Sequence, residues 1–141
     1  MKKYLFLAVL AILCCSFISV NAQELTLWSI ATESDAFHDA YLQAIAEFEE
    51  ANPGVTIKME TFENESYKIK IKSAVAANDL PDIFYTWGGG FSSAFVESGK
   101  VLPLDDYSQP YAEGISKAAL GNVIYDGKLY GVSYVTPVSV I

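Results

Sequence analysis

The stretch "FEEANPGVTIKME" (residues 48–60) decides the fold, because two periodicities meet in it. Phe48 closes an apolar series of helical spacing, with Phe37, Tyr41, Ala44 and Ile45 before it. Asn52-Pro53-Gly54 cannot continue a helix and stops it. Val55, Ile57 and Met59 then alternate with Thr56, Lys58 and Glu60, the period of a half-buried strand. Working towards the N-terminus, Ser34 or Asp35 supplies a side-chain oxygen to start the helix, and "ELTLWSI" (24–30) alternates as a strand. Working towards the C-terminus, a polar loop at 63–66 leads into a second amphipathic run through Tyr67, Ile71, Ala74 and Val75, with Lys68 and Lys72 nearer the wet side. Asn78 to Pro81 breaks it, and Ile83, Phe84 and Tyr85 make a short third strand.

The order is therefore β-α-β-α-β, which predicts an α/β fold with right-handed crossovers and a mostly parallel sheet. Beyond it, a short helix through Phe95 and Val96 ends at Gly99, and a further helix is expected near 113–120. Asp126-Gly127 between two apolar pairs signals a hairpin. Residues 135–141 are β-branched and read as extended. The sequence stops inside that apolar run, which suggests a fragment.

The first 22 residues read as a secretory signal peptide. Lys2 and Lys3 form the basic start, residues 4–13 the apolar stretch, and Val20-Asn21-Ala22 the cleavage site before Gln23. A lipoprotein signal is the alternative, through Cys14 or Cys15. Leu13 is not the small residue expected before a lipidated cysteine, so plain secretion is favoured. Cleavage removes both cysteines, leaving no disulfide and no thiolate chemistry. It also removes two of nine lysines. The remaining seven face 17 acids, for a net charge of −10, and the chain has no arginine. Nucleic acid and anionic lipid need basic surface and are poor partners.

"PDIFYTWGGGF" (81–91) raises the question of chemistry: phosphate loop, sugar platform or simple turn. A Walker loop fails, since Gly99-Lys100 is followed by Val101 and Ala94 stands where the first glycine belongs. The dinucleotide pattern fails too, because Ser93 replaces its third glycine. His38 is the one histidine, so a multi-ligand zinc site is excluded, and the aspartates lack calcium-loop spacing. No Gly-x-Ser-x-Gly elbow exists. A carboxylate pair, Glu33 and Glu63, each just after a strand, allows a small secreted glycoside-active enzyme as the alternative function.

The sugar platform survives. An aromatic face binds the C–H face of a pyranose, while carboxylates and amides take its hydroxyls. Trp87 lies just past the third strand, and Gly88 lets a ligand approach the backbone. In a sheet of order 2-1-3 the first and third strands are neighbours, which brings Thr32 and Glu33 to the same end as Trp87. The competing reading of Trp87 is a packing residue beneath the loop.

Five pieces in order, "LTLWS", "FEEANPGVTIKME", "LPDIFYTW", "ESGKVLPLDDY" and "DGKLYGVSY", resemble the extracellular solute-binding proteins of ABC sugar importers, the maltose-binding-protein-like group. The resemblance covers essentially all of residues 23–141. It implies the N-terminal lobe of a two-lobed periplasmic-binding-protein fold of type II, with the second lobe absent. It implies a carbohydrate held between the lobes, delivery to membrane permease subunits, a periplasmic or extracellular location, no catalysis and no cofactor. Carried over by position, Trp87 matches the sugar-stacking tryptophan, Thr32, Glu33 and Glu63 match polar cleft positions, and Tyr134 and Thr136 fall where the chain nears the hinge. Ser133 replaces the family's usual proline, and Gly88 to Gly90 replace charged cleft residues of some members.

Overall fold

The structure, a computed structural model, describes residues 22–107, 111 and 113–133. Strand β1 (Gln23–Ser29) is central. It pairs in parallel with β2 (Val55–Thr61) on one side and β3 (Ile83–Phe84) on the other, giving the order 2-1-3. Leu25 faces Ile57 and Leu27 faces both Met59 and Ile83 in the register. The expected α/β architecture and strand order are thus what forms, with β3 reduced to two residues.

Each crossover is helical. Helix α1 (His38–Ala51) joins β1 to β2, and α2 (Asn64–Ala77) joins β2 to β3. Asp35 does not cap α1 as expected. Its Oδ1 instead accepts from the Phe37 amide at 2.8 Å, closing a turn before the helix starts. Asn78 ends α2 in the left-handed conformation, and the Asp79 amide reaches back to the Ala74 carbonyl at 2.9 Å.

The core lies on one face of the sheet. Tyr67 and Ile71 of α2 and Phe95 of α3 (Gly90–Glu97) are buried together, and Trp28, Ile30, Phe62 and Phe84 pack onto them. Leu27 and Ser29 alternate to the other face and are also buried. No residue of α1 is fully buried, and Phe37 and Phe48, expected on its apolar stripe, remain exposed.

The remaining segment braces β3 and the glycine run. Helix α4 (Lys117–Gly121) is shorter than expected and starts at Ser116, whose Oγ accepts from the Ala119 amide. Strands β4 (Ile124–Tyr125) and β5 (Lys128–Leu129) form the expected hairpin. Asp126 and Gly127 both have positive φ, 49° and 77°, as a two-residue turn of type I′ requires. Leu104 and Asp105 tie this hairpin down: the Leu104 amide donates to the Leu129 carbonyl and Asp105 Oδ1 accepts from the Leu129 amide.

Candidate functional site

Parallel strands end together, so the loops after β1, β2 and β3 meet at one edge of the sheet. The β1 loop is tightly bonded. Ala31 is buried, its amide donates to Ser29 Oγ at 3.1 Å, and its carbonyl lies 2.8 Å from His38 Nδ1. Thr32 is half-buried, with Oγ1 3.2 Å from Ser34 Oγ, and Glu33 is exposed. Glu63 follows β2 as the residue before α2. Its side chain is exposed, and its carbonyl accepts from the Tyr67 amide and Ser66 Oγ.

Trp87 follows β3 and is half-buried, between the two roles considered for it. Its ring meets Phe91 at 4.8 Å and Tyr85 at 5.1 Å, both edge-on, and Tyr67 at 5.9 Å. It is therefore seated on the core cluster while keeping part of its surface at the strand-end edge. Tyr67 anchors this arrangement. It is fully buried, and its hydroxyl donates to the Tyr85 carbonyl at 2.7 Å. Burial pushes its phenol well above the usual tyrosine range.

The glycine run has a structural explanation. A Cβ on Gly88 would stand 2.4 Å from the Asn122 carbonyl oxygen, so only glycine fits there. The Gly89 amide donates to that same carbonyl at 2.7 Å, and the Tyr125 hydroxyl donates to the Gly89 carbonyl. Gly89 takes φ +65°, the turn that starts α3. One amide that a phosphate loop would present is thus already engaged inside the fold.

Sequence reasoning placed Lys68 nearer the wet side, and its side chain is indeed 35% exposed, with Nζ 5.3 Å from the Trp87 ring centroid and 2.7 Å from Glu65 Oε1. Asn64 Nδ2 donates to the same carboxylate oxygen at 2.7 Å. The Lys68 hydrogen bond and charge hold the Glu65 carboxyl below the usual range. The signal was legible: three polar residues, Asn64, Glu65 and Lys68, lie in the first turns of the helix that leaves β2, with the acid three positions before the lysine. Lys70 and Lys72 likewise lie over rings, Lys70 4.0 Å from Trp28 and Lys72 4.9 Å from Phe91.

Tyr134 and Thr136 lie outside the described residues. A separate groove of about 850 Å³ lies beside β3, lined by Leu27, Ile83, Phe95, Leu102 and Val132 among others. It does not include Trp87, Thr32, Glu33 or Glu63. Its walls are mainly apolar, whereas the partly exposed Trp87 ring at the end of β3 has the Lys68 ammonium beside it, paired with Glu65.

Comparison with known proteins agrees with this geometry. Residues 34–141 match the family model for bacterial extracellular solute-binding proteins. An uncharacterized ABC transporter extracellular-binding protein of Pyrococcus horikoshii is 28% identical over 115 residues, covering 79% of this chain and 26% of that protein. A structure from work on xylan utilization by Caldanaerobius polysaccharolyticus is 43% identical, with a TM-score of 0.69 over 77% of this chain and 28% of that one. A chitin oligosaccharide binding protein is 28% identical, with a TM-score of 0.69 over 79% of this chain and 28% of its own. A mannotriose-bound protein is 31% identical, with a TM-score of 0.62 over 78% and 28%. The chain thus spans about 28% of the length of these structural relatives, the share of a single lobe. The α/β sheet of order 2-1-3, the loops gathered at its strand ends and the match over residues 34–141 lead to one assignment: the chain belongs to the bacterial extracellular solute-binding protein family of ABC transporters.

Proposed function

We propose that this chain is the N-terminal lobe of an exported protein that binds a mono- or oligosaccharide in a cleft between two lobes and delivers it to the permease subunits of an ABC importer. Residues 1–22 are the signal peptide in this reading, and the exported protein begins at Gln23, in the periplasm or outside the cell. The observation that carries the ligand class is Trp87, an aromatic ring set on the core yet partly open at the ends of the parallel strands. Thr32, Glu33 and Glu63 stand on the adjoining loops as hydroxyl partners, Gly88 shapes the loop beneath, and Tyr134 and Thr136 complete the site near the hinge. Relatives named for xylan utilization, chitin oligosaccharide and mannotriose support a carbohydrate.

Calorimetric titration of the full-length protein with xylotriose, chitotriose and mannotriose tests this. Saturable binding of at least one is expected, and Trp87→Ala should weaken it by about tenfold to a hundredfold, the scale of one lost stacking face. Absence of binding to all three, or an unchanged affinity in a folded Trp87→Ala variant, overturns the assignment of the ligand or of its platform.

A further inference from the structure

We propose that Gln23 is a modification site: after export its α-amine closes on its own side-chain carboxamide, giving a pyroglutamyl lactam that caps the central strand. The inference rests on the export reading above, in which cleavage after Val20-Asn21-Ala22 makes Gln23 the first residue. The attacking α-nitrogen forms a bond to Cδ, and the Cδ–Nε2 bond breaks. Nε2 leaves as ammonia, carrying a proton from the α-nitrogen, so no oxidant, reductant or second substrate is needed. The α-amino group titrates at about 7.7–8.0, which leaves part of it as the neutral nucleophile near neutral pH.

The fold permits this closure. Gln23 is exposed, so its carboxamide is not held by the core. The new ring uses only N, Cα, Cβ, Cγ and Cδ of that residue. The carbonyl side of Gln23 and everything after it keep their places, and with them the register of Leu25 on Ile57 and of Leu27 on Met59 and Ile83. One bond is given up. The Gln23 amide donates to the Gly54 carbonyl at 2.8 Å, and the lactam, like the ring of proline, fixes the direction of its nitrogen and turns the remaining N–H aside. Gln23 opens β1, the central strand of the order 2-1-3, with no residue ahead of it once cleavage has occurred. An aminopeptidase working from a free α-ammonium would therefore begin directly on that strand. A lactam carries neither an ammonium nor a primary amine. It denies such an enzyme its substrate group and removes one positive charge from an already acidic chain.

The test uses the full-length protein secreted through its own signal peptide. Primary amines are labelled before digestion, and the N-terminal peptide is read by mass spectrometry. We expect a peptide that begins at residue 23, is lighter than its sequence by one ammonia and carries no label at its α-nitrogen. Pyroglutamyl peptidase should then release the lactam and expose Glu24 to the label. Gln23→Ala, at an exposed position, should fold as the parent does by circular dichroism. It should keep a labelled α-amine and be shortened by an aminopeptidase that leaves the parent intact. A parent peptide that begins at residue 23 with a free, labelled α-amine, and stays so on prolonged incubation of the folded protein at neutral pH, overturns the proposal and spares the export reading. A first residue other than Gln23, or a lipid on Cys14 or Cys15, overturns the export reading and the proposal together.

Discussion

At the scale of single residues, Trp87 and Gly88 show how one loop serves packing and ligand chemistry together. The Trp87 ring touches Tyr67, Tyr85 and Phe91, so Trp87→Ala should cost stability as well as affinity. We expect a loss of about 2 kcal/mol, below the 3–5 typical of a fully buried aromatic, read from paired melting and titration. Gly88→Ala should be disruptive, by about 1–3 kcal/mol, because its Cβ would collide with the Asn122 backbone. Gly90→Ala is the control: nothing lies within 4 Å of its Cβ position and it sits in the first turn of α3, so it should be neutral or slightly stabilising. Equal chemical-denaturation midpoints for the two alanine variants would contradict this account. Tyr67 adds a pH signature. The folded chain keeps its phenolic proton at pH values where the unfolded chain, near the ordinary 10.0, loses it. Its contribution is therefore complete below about pH 10 and declines as pH rises beyond that. In Tyr67→Phe that alkaline decline should flatten, while loss of the bond to the Tyr85 carbonyl costs about 1 kcal/mol at neutral pH.

At the scale of elements, the short β3 is secured by a side chain in place of a longer ladder. Asp82 Oδ2 accepts from the Thr26 amide and hydroxyl, both at 2.8 Å, and Thr26 Oγ1 accepts from the Asp82 amide at 3.1 Å. The clasp continues the β1–β3 pairing one residue before β3 starts. Those bonds, the Thr26 amide first, hold the Asp82 carboxyl below its ordinary 3.8. A depressed folded value means the stabilisation is present above that ordinary value and is lost as pH falls through the folded one. Asp82→Asn should thus melt lower than the parent at pH 7, and the two curves should converge in acid. A gap that persists unchanged at pH 2 would show that the carboxylate charge is not what holds the clasp. On the other edge, Glu49 of α1 reaches the Ile57 amide at 2.6 Å, so a helix carboxylate occupies a donor that edge strand β2 would otherwise leave open.

At the scale of the whole molecule, polar covering is uneven. The β2 edge has Glu49, while β3 borders an apolar groove with Ile83 43% and Val132 50% exposed. Residues 23–141 expressed alone should therefore associate reversibly through this groove, with an apparent mass that rises with concentration in sedimentation. Ile83→Lys should shift the chain towards monomer without unfolding it, because that residue is already partly in solvent. A wild-type chain that stays monomeric across the accessible concentration range would count against an adhesive groove. The β-branched run at 135–141, read as extended, lies outside the described residues.

The α/β class and the hairpin at Asp126-Gly127 were legible in the sequence, because each follows from local periodicity and turn chemistry, and the expected strand order 2-1-3 is the one that forms. Residues 48–60 alone reveal a helix, its stop and a strand, since all three signals sit within one short window. What the tertiary structure decided is where side chains from distant segments meet. Nothing local to Gly88 announces Asn122, 34 positions later, as the reason it must be glycine. Helical spacing put Lys68 on a polar face, yet the ring it covers comes from beyond the next strand. Likewise α1 displays an apolar stripe in sequence but buries none of its residues completely, because burial depends on what the rest of the fold brings against it. Periodicity is a property of neighbouring residues and can be read along the chain, whereas contact, charge pairing and exposure belong to the packed arrangement and exist only once it has formed.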